Sequence, residues 1–206
     1  MTDLSAFVPL VLPHVPGAPD VAALLAIRRA ILEFCKRAPV WQSFKVADLI
    51  AHTSSYTVSP ETNGVVHSIQ AVKLNGMPLR PLQLVGLAAQ GLGTGEATPT
   101  GYYVSAPGVV TLCPTPDVGG VGALAFFCTN IPTATCTAIP DFMFNNYCQT
   151  VIDGALAYLL STPNKAWFQA DLAAWYQSVF NSGIATASMD AAQGFGRTPL
   201  RTKVWV

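Results

Sequence analysis

The spacing of apolar residues changes twice along this chain, and each change limits what it can fold into. Over residues 20–37, Leu24, Ile27, Ile31, Phe34 and Cys35 recur every three to four positions, while Arg28, Arg29, Glu33, Lys36 and Arg37 fall elsewhere. That spacing predicts a helix with one buried stripe, ended before Pro39. Over residues 40–129 the period drops to two and turn residues intervene. Residues 69–74 run into Asn75-Gly76, a pair that tolerates the positive φ of a type I′ hairpin. Residues 102–104, Pro107-Gly108 and residues 109–112 make a second hairpin, and residues 121–128 a further strand closed by Asn130 and Pro132. Helical spacing returns at Pro140-Asp141, a proline in the first turn beside an acid at the positive helix end. Phe144, Tyr147, Val151, Ala155, Tyr158 and Leu159 form its buried stripe, and Ser161-Thr162-Pro163 stops it. Gly154-Ala155 in the middle is costly unless another element packs close, which predicts a crossing helix there. A last helix covers about residues 169–193, with Leu172, Trp175, Tyr176, Val179, Phe180 and Ile184 inward, and Gly194 and Gly196 end it.

These segments predict an α+β fold. Its helical core comes from N- and C-terminal helices (20–39 and 133–196), with an inserted antiparallel β-hairpin or barrel region (40–132). Residues 1–19, rich in proline and without periodicity, read as an extended arm, and residues 197–206 as an extended C-terminal tail.

Charge decides the class of partner. Eleven basic and eleven acidic residues cancel, so no broad basic surface for neutralising nucleic-acid phosphates is expected. The charged fraction is only 11 %, against roughly 25 % in an ordinary domain, and mean hydropathy is +0.40. A surface so poor in charge fits a chain covered by other subunits, because obligate interfaces resemble a core cut in half. The alternative is an uncharged, Ala-rich protein that stands alone.

Residues 118–140 carry no charge, but Gly119, Gly120, Gly122, Asn130, Pro132 and Pro140 argue against a membrane helix. Pro9 and Pro13 interrupt the apolar stretch 6–15, and Asp3 rather than a base precedes it, so no secretory signal is expected. Maturation in a reducing cytoplasm follows. Cys35, Cys113, Cys128, Cys136 and Cys148, odd in number and without CxxC spacing, then read as free thiols. A bridge or metal pair at Cys128 and Cys136 is the lesser alternative.

Signatures of catalysis are missing: there is no GxSxG, HExxH, Walker A loop or DxD. Gly91-Leu92-Gly93-Thr94-Gly95-Glu96 suggests a phosphate loop, yet Pro99 follows where a helix should begin, so a plain loop is expected. His14, His52 and His67 lack ligand spacing. Glu33, Glu61 and Glu96 are the candidate carboxylates for a glycosidase pair, but Glu33 lies among four bases as an ion-pair partner would. No enzyme activity, cofactor or metal is expected.

The order of several segments resembles the head–tail adaptor (connector) proteins of tailed bacteriophages. Arg29-Ala30-Ile31-Leu32-Glu33-Phe34-Cys35-Lys36-Arg37 followed by Trp41 is similar to their first helix, and Leu112-Cys113-Pro114-Thr115-Pro116 to the end of their hairpin region. Ile139-Pro140-Asp141, Tyr147, Asp153-Gly154-Ala155-Leu156 and Leu159-Leu160 resemble the first of their paired C-terminal helices. Pro163-Asn164-Lys165-Ala166-Trp167, Ala173, Tyr176 and Phe180 resemble the second. The family pattern has Gly where Asn164 stands. The resemblance covers the chain from about residue 16. It implies a helical core with a β-rich insertion, and a ring of twelve copies beneath the portal protein. That ring joins capsid to a downstream tail component and lines a channel through which DNA passes without sequence-specific binding. It places the chain at the head–tail junction of the virion and implies neither cofactor nor catalytic residue. The alternative is a tail-associated cell-wall hydrolase or carbohydrate-binding tail module, which convergent acids or a row of exposed aromatics would favour.

One candidate contact site stands on the residues alone. After Gly194 and Gly196 the chain can leave the helix, and Pro199 discourages a return. Arg197, Arg201 and Lys203 supply charge and Val204, Trp205 and Val206 an apolar end, a combination suited to docking on a portal or a neighbouring subunit.

Overall fold

Residues spaced three to four apart fold into helices and residues spaced two apart pair into sheets, in separate parts of the chain. The computed structural model describes residues 1–83 and 95–194. It divides into two units: Met1–Val40 with the described part of Ala134–Val206, and Trp41–Thr133.

Among the described residues, the first unit contains four α-helices: α1 (Val8–Val11), α2 (Asp20–Arg37), α3 (Asp141–Leu160) and α4 (Ala170–Ala192). A small antiparallel sheet joins β1 (Thr2–Asp3) to the last strand, β10 (Ala138–Ile139). Helix α2 carries Asp20 in its first turn and Lys36 and Arg37 in its last, matching charge to the helix dipole. Its buried stripe is Ala23, Ile27, Ala30, Ile31 and Phe34. Helix α3 lies between α2 and α4. From residue 151 to 157 every one of its side chains is buried, as expected where neighbours cover more than one helix face. The crossing at Gly154 is with α4: a Cβ at Gly154 would meet the Phe180 ring at 2.8 Å, and one at Gly183 would meet Thr150 Cγ2 at 2.6 Å.

That close approach corrects the facing of α4. Phe180 and Ile184 are buried as expected, but Leu172 and Trp175 point outward, Trp175 with 57 % of its surface exposed. Small residues Ala173, Ala187 and Ala191 line the inward face with them. Two helices meeting at glycines leave no room for an indole between their axes, so the bulkiest apolar side chains are turned out.

The N-terminal segment is also corrected. Residues 1–19 are not an extended arm. After β1 they form a 3-10 turn, α1 and a second 3-10 turn, with Leu4, Phe7, Val8, Val11 and Val15 buried. Their spacing of three to four is helical, and Pro9 and Pro13 occupy first-turn positions, where proline's missing N–H is not needed. Phe7 packs edge-on against Phe144 of α3 at 4.8 Å between centroids.

The second unit holds β2 (Gln42–Leu49), β3 (Ser55–Thr57), β4 (Gly64–Leu74), β5 (Met77–Pro78), β6 (Arg80–Pro81), β7 (Gly101–Ala106), β8 (Val109–Cys113) and β9 (Gly120–Pro132). They form two four-stranded sheets, ordered β2-β9-β4-β5 and β3-β8-β7-β6. The β4–β5 turn is the expected Asn75-Gly76, with φ of 49° and 81°, and Gly108 at φ 77° turns β7 into β8. Strand β9 runs on beyond the expected Cys128 to Pro132, and register shifts in β4 beside Val66 and Ile69 bend its ladder with β9.

The expected architecture, one helical core carrying a β insertion, is therefore overturned, although the α+β class stands. About 31 % of the described residues are strand, in three antiparallel or mixed sheets. The β unit buries a core of its own between its two sheets: Val72, Leu74, Leu124 and Phe126 from one, Tyr56, Tyr102, Val110 and Leu112 from the other. Sheets each with one apolar face satisfy one another and need no helix to cover them. Strands occur in the helical unit too. The predicted C-terminal tail lies outside the described residues.

Candidate interaction surfaces

Two outward faces stand out, one in each unit. On α4, the residues opposite the buried stripe are Leu172, Trp175, Val179, Ser182, Thr186 and Met189, a repeat of three and four. All but the half-buried Val179 are exposed. Between Asp171 and Asp190 the helix has no charged residue. Trp175 stacks edge-on with Tyr176 at 4.8 Å between centroids, which fixes the indole against the helix while leaving its outer face open. Phe168, just before the helix, is exposed as well. The absence of charge from 172 to 189 and the heptad-like spacing are signals of this face that the sequence itself carries.

On the β unit, the outer face of the β2–β9–β4 sheet presents Phe44 and Phe127, opposed across the β2–β9 ladder with centroids 4.9 Å apart. Phe44 is 55 % exposed, and Val46 beside it is equally open. The Lys73 ammonium sits 5.0 Å from the Phe127 ring centre. Gln42, Ser43, Gln70 and Cys128 line a depression together with the two rings, and Gln70 Nε2 donates to Thr129 Oγ1 at 2.8 Å. Behind it, Asn130 is fully buried: its amide donates to Ser43 Oγ at 2.8 Å, while its Oδ1 has no hydrogen-bond partner.

The three arginines of α2 are engaged within their own unit. Arg28 Nε donates to the Cys136 carbonyl at 3.2 Å, and the Arg29 guanidinium lies 4.4 Å over the Tyr158 ring. Tyr158 donates its hydroxyl proton to Glu33, and Arg37 bridges Glu33 at 3.0 Å and Asn181 Oδ1 at 2.7 Å. Glu33 is thus the ion-pair partner that its neighbours predicted, tying α2 to α3 and, through Arg37, to α4.

The other candidate carboxylates are also taken: Glu61 pairs with Lys45 at 2.6 Å and Glu96 with His52 Nδ1 at 2.9 Å. His67 is exposed on β4. His14 lies beside Asp153, a carboxyl 5 % exposed in the middle of α3. Burial pushes the Asp153 carboxyl above the usual range, against a hydrogen bond from Gln149 Nε2 at 2.9 Å and the nearby His14. All five cysteines are free thiols, so no Cys128–Cys136 bridge forms. Cys136 instead neighbours Cys35, whose thiol burial holds well above its ordinary value. Among the described residues, no three His, Cys, Asp or Glu side chains come together as metal ligands do, and no helix is long and apolar enough to cross a membrane.

The candidate contact residues Arg197, Arg201, Lys203, Val204, Trp205 and Val206 lie outside the described residues, as do Gly91, Leu92, Gly93 and Thr94 of the glycine-rich loop. Of that loop, Glu96 bridges to Thr115 rather than opening a helix. Asn164, where the adaptor pattern has Gly, has φ +61°, the left-handed conformation that Gly enters freely and Asn tolerates. No protein-family model matches this chain, and no curated protein matches it.

Proposed function

We propose that this chain is a structural subunit of a tailed-phage virion: a head–tail adaptor that forms a ring beneath the portal, joins capsid to tail and surrounds the DNA channel. The observation that carries this reading is the uncharged, partly apolar outer face of α4. A helix side of this length without a charge, bearing Leu172, Trp175 and Met189, is what a subunit interface requires and what a solitary protein avoids. The low charged fraction, 11 %, extends the same property to the whole chain. The ordered similarity to adaptor segments supports the ring, since heterologous contacts that close by rotation make rings. In this reading the chain has no catalytic role and binds no cofactor. Twelve copies contact portal, tail component and one another, DNA passes without sequence readout, and the subunit, made in the host cytoplasm, ends at the head–tail junction. Electron microscopy of the purified protein, alone and with portal, tests it. Rings, alone or on the portal, are expected, and a dispersed monomer in intact particles would overturn the reading.

A carbohydrate-binding tail module is the second reading. The Phe44–Phe127 pair, with Phe44 exposed and Phe127 half-buried, favours it, because sugar faces stack on aromatic rings. Cell-surface polysaccharide binding abolished by Phe44→Ala would support it over the adaptor.

A further inference from the structure

Helix α4 carries a hollow on one side and a projecting indole on another. The hollow, about 340 Å³, opens between α3, the turn before α4 and the first turns of α4. Ala157, Ala173 and Ala174 leave the space, and Tyr158 and Phe168 wall it with rings. Its volume is at the low end for binding sites, room for one aromatic group. Tyr158 is fixed by its hydrogen bond to Glu33 and by the Arg29 guanidinium 4.4 Å over its ring, so that wall is already ordered. The projecting indole is Trp175, 57 % exposed. At 3.6 residues per turn it stands roughly 150° around the axis of α4 from the residues lining the hollow. The charges beside the two are opposite. Asp171 lies one turn before Trp175, and Lys165 lies in the turn joining Ser161 to Phe168, both on the hollow. Asp171 and Lys165 are exposed, and neither is in an ion pair among the described residues.

We propose that Trp175 of one copy of this chain seats in the alanine-lined hollow of the next, where Asp171 meets Lys165. An indole brings a large apolar area at little loss of side-chain freedom, and a preformed hollow supplies the walls that desolvate it. Opposite charges beside indole and hollow favour a second copy as the occupant and fix how it approaches. Because indole and hollow face nearly opposite sides of α4, one two-fold contact cannot use both. Each contact therefore leaves a free indole at one end and a free hollow at the other. That is a heterologous contact, which adds copies until rotation closes it. This inference rests on the adaptor reading for the existence of an assembly, and names the contact that builds it.

Sedimentation of the full-length protein, alone and with portal, tests it. Trp175→Ala removes the indole, and Ala174→Phe fills the hollow from an exposed position. Each variant should weaken self-association roughly tenfold or more, with thermal unfolding unchanged. Mixed, the two should form a one-to-one pair and nothing larger, since one variant holds the intact indole and the other the intact hollow. Asp171→Lys should weaken association about threefold, and adding Lys165→Asp to the same chain should restore it. This rescue decides the matter should Ala174→Phe fail to fold. Full assembly by a folded Ala174→Phe variant, a mixture without the one-to-one pair, or a charge reversal that is not rescued would each overturn the contact and leave the adaptor reading standing. A parent protein that assembles neither alone, nor on portal, nor in virions would overturn both.

Discussion

Phe180 lies against the backbone of Gly154, with three atoms of its ring within 2.9 Å of where a Cβ on residue 154 would stand. The glycine that weakens α3 as an isolated helix is the point at which α4 crosses it. Phe180→Ala should destabilise the protein by about 3–5 kcal/mol, since the ring is fully buried and its cavity cannot close. Gly154→Ala should cost about 1–3 kcal/mol through overpacking. The double variant should lose less than the sum, because the shortened side chain makes room for the added methyl. Denaturant unfolding of all three measures this, and strict additivity would show that the two residues do not share one contact.

Asp153 gives a pH signature. Burial raises its carboxyl in the folded protein, so the folded state holds its proton more tightly than the unfolded chain. Its contribution to stability is therefore greatest below the ordinary carboxylate value and is lost as pH rises through the raised folded value. Asp153→Asn keeps an acceptor for Gln149 and removes the charge. Its melting temperature should exceed the parent's near neutrality, and the two should converge in acid, over a range of about pH 3 to about pH 7. An asparagine variant less stable at neutral pH would mean that the charge is favourably paired, with His14 as the partner.

Trp175 separates folding from assembly. Being exposed, its replacement by Ser should change stability by no more than about 0.5 kcal/mol. Ring formation, or binding to portal, should weaken markedly, as for an interface aromatic. Sedimentation alongside thermal unfolding distinguishes the two effects. A large loss of stability with unchanged assembly would return the indole to the core.

The turn between α3 and α4 holds Asn164 in the left-handed conformation. Asn164→Gly should be neutral to within a few tenths of a kcal/mol, because both residues accept φ +61°. Asn164→Val should cost about 1–2 kcal/mol, since a β-branched side chain is strained in that conformation. Chemical denaturation of both variants reads the difference directly.

Local signals alone determined much of this protein. The spans of α2, α3 and α4, the turns at Asn75-Gly76 and Pro107-Gly108, and the crossing at Gly154 follow from side-chain periodicity, proline, and the two glycine-containing turns, all of which act over a few residues. The ion-pair role of Glu33 among its bases was legible for the same reason. Only the tertiary structure decided which way α4 faces, that residues 1–19 fold onto α3, and that the β strands bury a core between two sheets of their own. Each depends on what lies opposite in space. Periodicity shows that a helix has an apolar side, but α4 has two, and the glycines and alanines at its crossing with α3 permit an approach so close that only small residues and the Phe180 ring fit. Trp175 and Leu172 were thereby excluded from the core and became the candidate interface, an outcome of steric competition between helices that no single segment contains.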